Sequence, residues 1–311
     1  MADGAKLSKI AENLNLKNFT ESINLDDIEI TVADINRPAL QLHGFFDYFQ
    51  SNRIQIIGMV EWSYLNGKAE EERVAAFERL ISYEVPCVIF CRDFVPEQSF
   101  LDLACEKGVA LLGTERGTSE FTAELIYNLG YELAPITTIH GVLVDVYGEG
   151  LLITGESGIG KSEAALELVR RGHRLVADDV VEIRRVNTDT LIGTAPAVTK
   201  HLIELRGIGI IDVKSLFGVE CVKDRQSIGF VIKLEDWKKE KEYDRIGLKD
   251  EYMDILGKQV VCHSLPIRPG RNLAVICETA AVNFRQKKMG YNATEELYRR
   301  VRENMSGGAN I

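Results

Sequence analysis

Residues 140–172 read HGVLVDVYGEGLLITGESGIGKSEAALELVRRG, and the centre of this stretch decides the fold. Gly155, Glu156, Ser157, Gly158, Ile159, Gly160, Lys161 and Ser162 fit the pattern GxxxxGK[ST] at every position. The preceding LLIT predicts a strand and the following EAALELVRR a helix ended by Gly172, the two flanks a phosphate loop needs. Glycines let the backbone curl so that successive N–H groups point at phosphate oxygens, and the helix N-terminus adds a favourable dipole. Lys161 supplies a mobile positive charge to the outer phosphates, and Ser162 a hydroxyl for Mg²⁺. Upstream, residues 140–155 predict two alternating strands around a turn at Gly148, Glu149 and Gly150, hence a hairpin. The loop is then entered from an antiparallel strand, where a βαβ nucleotide domain would use a parallel one.

HRLVADDVVEI (173–183) predicts a strand interrupted by Asp178, seventeen residues after Lys161, and by Asp179. Neighbours on a strand point to opposite faces, so the two carboxylates share a site only if the strand ends there. A magnesium-facing Asp is the usual second half of a phosphate-loop site, and a second one suggests a general base for an attacking hydroxyl. The alternative is one site residue and one solvated turn residue. His140 lies just before the hairpin; alone, such a histidine is more often packed. HLIELRGIGIID (201–212) embeds Glu204 and Arg206 in an apolar, glycine-interrupted segment, where charges need partners or a metal. LPIRPGRN (265–272) presents Arg268 and Arg271 on a stiff loop that suits a phosphate or carboxylate, or equally a solvated basic loop. DWKKEKEYDR (236–245) reads as a solvated face.

The first part of the chain reads differently. EEERVAAFERL (70–80), VPCVIFCR (85–92), a helix near 98–106, GVALLGT (108–114) and a helix over 118–129 closed by Gly130 alternate helix and strand. That order predicts a small parallel sheet covered by helices, without a catalytic constellation. The domain boundary falls near residues 130–135, dividing the 311 residues into 1–134 and 135–311. Residues 1–134 carry 11 Lys and Arg against 22 Asp and Glu, whereas residues 135–311 carry 26 against 25. A net charge of −10 argues against a nucleic-acid binder held by phosphate contacts. There is no apolar run of the ~20 residues a membrane helix needs. Six cysteines without CxxC or zinc spacing read as mostly buried thiols of a cytoplasmic protein. Two helices, about 273–289 and 293–304, precede a frayed SGGANI.

Taken together, GESGIGKSE, RLVADD and LIELRGIGIIDVKSLFG resemble one family closely, the bacterial HPr kinase/phosphorylase, with YDRIGL and LPIRPGRN in the same order. The resemblance covers essentially the whole chain. It implies an α/β protein, with a small N-terminal α/β domain and a C-terminal phosphate-loop kinase domain resembling phosphoenolpyruvate carboxykinase. The implied activity is phosphorylation of a seryl residue of HPr by ATP or pyrophosphate, and phosphorolysis of the product by inorganic phosphate. Mg²⁺ or Mn²⁺, a homohexamer, fructose 1,6-bisphosphate as activator and control of carbon catabolite repression come with it; nucleic acid and membrane do not. Carried over by residue, the family pattern gives residues 155–162 to the nucleotide phosphates and Ser162, Glu204 and Asp178 to the metal. Asp179 would be the base and acid, Lys161 would stabilise the transferring group, and His140 and Arg245 match the remaining catalytic positions. Residues 203–212 would serve both directions, whereas Pro266, Ile267, Arg268, Pro269, Gly270 and Arg271 would serve chiefly dephosphorylation. Two competitors stand beside it: a phosphate-loop kinase or carboxykinase acting on a small metabolite, and a nucleotide-gated binding module. The first should add metal-binding His and Lys and a larger chain; the second would not need a base such as Asp179.

Overall fold

Residues 4–237, 251–267 and 271–307 are described by the computed structural model, and the chain divides into two units, Met1–Ala134 and Pro135–Ile311. In the first unit the order is β1 (Ala5–Lys6), α1 (Leu7–Asn13), β2 (Lys17–Asn18), β3 (Glu29–Ile30), β4 (Ile35–Asn36), α2 (Ala39–Leu42) and β5 (Ile54–Ile57). It continues through α3 (Met59–Asn66), α4 (Glu70–Ile81), β6 (Cys87–Phe90), α5 (Gln98–Lys107), β7 (Ala110–Gly113) and α6 (Thr118–Glu132). Strands β4, β5, β6 and β7 are parallel and β2 closes the edge antiparallel. The short apolar runs IQII, CVIF and ALLG are buried throughout because both faces are covered. Ile54, Ile56, Cys87, Ile89, Ala110 and Leu112 pack on α6, while Ile57, Val88, Phe90 and Leu111 pack on α4 and α5. Helix α4 opens on Glu70, Glu71 and Glu72 and carries Arg79 in its last turn, charges that complement its dipole. Helix α6 runs through Gly130 to Glu132 instead of ending at the glycine. A glycine inside a helix costs only about 1 kcal/mol, and Leu125 and Leu129 on the buried face hold the turn that contains it.

The second unit begins β8 (Ile136–His140), β9 (Val142–Val146), β10 (Glu149–Gly155), α7 (Lys161–Arg170), β11 (Arg174–Ala177), β12 (Val180–Asn187) and β13 (Thr190–Thr194). It continues β14 (Leu202–Leu205), β15 (Gly209–Asp212), α8 (Val213–Phe217), β16 (Arg225–Asp236), β17 (Glu251–Ile255), β18 (Lys258–Ile267), α9 (Leu273–Lys288) and α10 (Ala293–Gly307). Among the described residues nine strands form one sheet, ordered β11-β9-β10-β16-β13-β12-β8, with β18 also on β16 and β17 on β18. Strand β10 is antiparallel to β9, as the hairpin requires, but its other neighbour, β16, is parallel.

Two details depart from the sequence reading of that hairpin. The turn residues are Tyr147 and Gly148, with φ +54° and +90°, so Glu149 already belongs to β10. Both strands are buried on both faces and do not alternate. Val142, Val144, Leu151 and Ile153 face α7 and α9, while Leu143 and Leu152 face Val176, Val181 and Ile183 from neighbouring strands. Helix α10 includes Ser306 and Gly307; the rest of the terminal segment lies outside the described residues. All six cysteines are free thiols, four of them buried. Among the described residues no helix is long and apolar enough to cross a membrane.

Candidate active site

Strand β10 delivers the phosphate loop at the end of the parallel trio β10, β16 and β18, where Gly155 pairs with Leu234 and Leu234 with Leu265. Strand ends on one edge of an α/β sheet are where such folds collect ligands. Gly155 has φ +144°, and a Cβ there would lie 2.6 Å from the Leu234 carbonyl oxygen, so only glycine allows the chain to leave the sheet here. Gly160, with φ +99°, caps the start of α7 and leaves that helix's first N–H groups facing the loop.

Lys161 is the first residue of α7 and only 7% exposed. Its Nζ donates to the carbonyl oxygens of Gly155 and Glu156, each at 3.0 Å, and lies 3.3 Å from His140 Nε2. His140 ends β8, directly opposite Val180 on β12, and its Nδ1 is 3.0 Å from Asp179 Oδ1. An ammonium can only donate, so Nε2 accepts, the imidazole proton sits on Nδ1, and it is donated to Asp179. Asp179, His140 and Lys161 thus form one hydrogen-bonded line beside the loop.

Asp178 and Asp179 reach the same cleft because the strand is interrupted at the pair: β11 ends before them at Ala177 and β12 begins after them at Val180. Strand β11 pairs with β9, and β12 pairs with β8 and β13; the crossing is made at Asp179, whose φ is +67°. That left-handed backbone is uncommon away from glycine, and aspartate adopts it more readily than most residues. Asp178 is buried, accepts from Ser162 Oγ at 2.9 Å and accepts from the Glu204 backbone N–H at 3.0 Å. Burial pushes its carboxyl above the usual range, with those hydrogen bonds opposing it.

Glu204 and Arg206 come from the β14–β15 hairpin, and both line the cleft with His140, Lys161, Asp178 and Asp179. Arg206 Nη2 donates to Ser157 Oγ at 3.2 Å, and its guanidinium covers Gly158 so closely that a Cβ there would clash. Glu163, next to Ser162, also faces the cleft. The sequence marks Arg206 as a charge in an apolar segment that needs a partner, and Ser157 is that partner; Glu163 is not marked there, and adjacency to Ser162 is the available signal for it. Arg245, with most of the 236–245 run, lies outside the described residues. So do Arg268, Pro269 and Gly270. Pro266 and Ile267 end β18 at the same sheet edge as the phosphate loop, and Arg271 Nη1 donates back to the Pro266 carbonyl at 2.7 Å.

No cluster of three His, Cys, Asp or Glu is arranged as a metal cage among the described residues. The Ser162 hydroxyl and Asp178 carboxylate nevertheless fit Mg²⁺, which takes hard oxygens and is held through one or two carboxylates with phosphate and water. The Glu204 backbone is tied to Asp178, which brings its carboxylate to the same cleft.

Comparison with known proteins matches residues 131–301 to the HPr Serine kinase C-terminal domain and residues 5–129 to the HPr Serine kinase N terminus. A protein of Lachnoclostridium phytofermentans described as HPr kinase/phosphorylase is 61% identical over 300 residues, covering 96% of this chain and 97% of that one. One of Bacillus subtilis with the same description is 45% identical over 296 residues, covering 95% and 94%. A solved structure of the Hpr(Ser) kinase/phosphatase from Coxiella burnetii is 38% identical with a TM-score of 0.47, covering 52% of this chain and 98% of that one.

Proposed function

The chain belongs to the HPr serine kinase family, and from that membership we infer that it phosphorylates a seryl residue of HPr and removes the same group by phosphorolysis. The observation that carries this reading is 61% identity along nearly the whole of both chains. ATP or pyrophosphate is the phosphoryl donor, and through HPr the enzyme acts on carbon catabolite repression and sugar uptake.

The chain's own groups supply a consistent chemistry. Phosphoryl transfer asks a protein mainly for positioning and for neutralisation of charge. In the forward direction the seryl oxygen bonds to the outermost phosphorus of the donor, the bridging P–O bond breaks, and ADP or phosphate leaves. Asp179 takes the seryl proton, with His140 Nδ1–H holding its carboxylate toward the loop. Lys161 moves from the loop carbonyls to the outer phosphates, and the 155–162 backbone binds the inner ones. In reverse an oxygen of inorganic phosphate attacks the seryl phosphate, pyrophosphate forms, and Asp179 returns the proton to the seryl oxygen. Ser162, Asp178 and Glu204 would hold Mg²⁺, which when bound screens charge between donor oxygens. Arg245 and residues 266–271 are assigned on the family pattern, the latter to the reverse direction. A homohexamer, activation by fructose 1,6-bisphosphate, a domain division at 134/135 and a cytoplasmic setting belong to the same reading.

Purified protein with Mg²⁺ and ATP is expected to add one phosphoryl group to HPr, seen by mass spectrometry. Added phosphate should then remove it with pyrophosphate appearing. Well-folded protein that does neither overturns the reading.

A further inference from the structure

Gly141 is the single residue between β8, which ends at His140, and β9, which begins at Val142. Here the chain leaves its pairing with β12 for pairing with β10 and β11. The other crossing, at Asp178 and Asp179, runs antiparallel to it, and the two crossings share one register. Val180 lies opposite His140 and Ala177 opposite Leu143, so counting inward from either side sets Asp179 against Gly141. Neither residue belongs to a strand, yet the Gly141 N–H donates to the Asp179 carbonyl at 3.0 Å.

The Asp179 backbone depends on such support. The Val180 N–H donates back to the Asp178 carbonyl at 2.8 Å, closing a three-residue turn centred on Asp179, whose φ is +67°. Three-residue turns with positive φ at the centre are the rare and strained form. They persist where neighbouring contacts hold them. The Asp179 side chain is 63% exposed, so packing does not fix it, and its aim depends on the turn and on His140. On its other side Gly141 lies against β10. A Cβ at Gly141 would lie 2.6 Å from the Ile153 carbonyl oxygen and 3.5 Å from Thr154 Cγ2. Gly141 is not among the residues with positive φ, so glycine is needed here for space and not for backbone freedom. Ile153 and Thr154 lead directly into Gly155 and the phosphate loop.

Resting on the functional reading above, we propose that Gly141 is a positioning residue that sets the gap between Asp179 and the phosphate loop. Transfer needs the seryl oxygen in line with the phosphorus and the leaving oxygen, and the proton acceptor within hydrogen-bond reach of that seryl oxygen. The loop fixes the phosphorus, the turn fixes the acceptor, and Gly141 touches both. Its lack of a side chain lets the β8–β9 link close on β10, and its N–H keeps the turn at that distance.

The test is Gly141→Ala, in initial-rate assays of both directions. The added Cβ would be about 1 Å closer to the Ile153 oxygen than ordinary carbon–oxygen contact, and a backbone oxygen does not swing aside, so the link and the turn move together. Misplacement on that scale costs about 10²-fold in rate. kcat should fall by about that factor in both directions, with KM for HPr and the ATP dissociation constant by calorimetry within about threefold of wild type. Gly229→Ala is the packing control. Its Cβ would meet Phe284 Cε1 at 3.1 Å and Glu149 Oε2 at 3.2 Å, at the end of the β10–β16 pair away from the loop. It should lower the thermal midpoint and leave kcat within about twofold of wild type. Equal loss of kcat in both variants makes Gly141 ordinary packing and overturns the proposal, as does a normal kcat in Gly141→Ala. If Gly141→Ala does not fold, hydrogen exchange of wild type at single-residue resolution decides. The Gly141 amide should be protected without substrate, and no better protected with Mg²⁺ and pyrophosphate. Free exchange until pyrophosphate binds overturns the proposal, because the ligand then builds the turn. Wild-type protein that transfers nothing to HPr overturns the functional reading and this proposal with it.

Discussion

The two ends of strand β11 hold buried carboxylates built in opposite ways. Arg174 at its start reaches across to Asp145 of β9, while Asp178 follows its last residue. Asp145 is 2% exposed and Asp178 3% exposed. Asp145 has Arg174 Nη2 at 2.6 Å, Lys223 Nζ at 2.9 Å and the Gly148 N–H at 2.7 Å. Burial alone would raise its carboxyl, but the hydrogen bond and charge of Lys223 and the charge of Arg174 hold it below the usual range. Asp178 has neutral partners, the Ser162 hydroxyl and the N–H groups of Glu204 and Asp179, and the neighbouring Asp179 carboxylate adds to the upward push of burial. The same chain shows how it neutralises a carboxylate that only has to hold strands together. Leaving Asp178 short of positive charge is therefore informative: the missing charge is what the cation of the proposed function would bring.

The largest expected effect is on the exposed member of the cleft. Asp179→Asn should lower kcat for both directions by about 10³-fold, the scale of general acid–base catalysis, with ATP binding by calorimetry unchanged. Near-normal turnover would move the base to Asp178 and undo the contrast drawn above. Asp178→Asn should lower kcat by about 10²-fold, the scale of a lost metal-orienting group. At neutral pH it should leave stability equal or higher by about 1 kcal/mol, since a buried charge without a cation is removed. Mg²⁺ with pyrophosphate should raise the thermal midpoint of wild type but not of this variant. Asp145→Asn should do the reverse: a loss of about 2 kcal/mol in denaturant titration, with kcat of the folded protein within about threefold of wild type.

These two ends were unequally legible in the sequence. The phosphate loop is contiguous and its geometry is set by glycines and a helix start, so GESGIGKS could be read outright. Asp178 and Asp179 were visible as a pair, but whether both face one site depended on a strand break that only the positive φ of Asp179 reveals. Asp145 could not be found, because Arg174 and Lys223 lie 29 and 78 residues away and nothing local marks them as partners. The β9–β10 hairpin was legible as two strands, yet burial on both faces turned the expected alternation into continuous apolar runs. Its turn was misplaced because a tyrosine, with φ +54°, takes the position where glycine was expected. The face of β14 could be assigned only from register, since HLIELRGIGIID gives no sign that Ile203 is inside and Ile210 outside.

The smallest effects test whether Asp145 needs both of its cations. Its carboxyl is held below the usual value, so its stabilising contribution is complete above about pH 4 and is lost as pH falls through the lower folded-state value. The stability gap between wild type and Asp145→Asn, measured by denaturant titration from pH 5 down to 2, should therefore close toward the acid end. A gap that widened toward acid would mean the native state prefers the protonated acid, as at Asp178. Lys223→Met should cost only about 0.5–1 kcal/mol, because Lys223 is about a third exposed and partly solvated, so its ion pair is screened. The residual Arg174 pair should keep Asp145 charged in Lys223→Met, leaving the acid transition shifted upward but still present. If the transition vanished, one cation would be insufficient, and the pairing of Asp145 with two would be a requirement of burial and not a reserve.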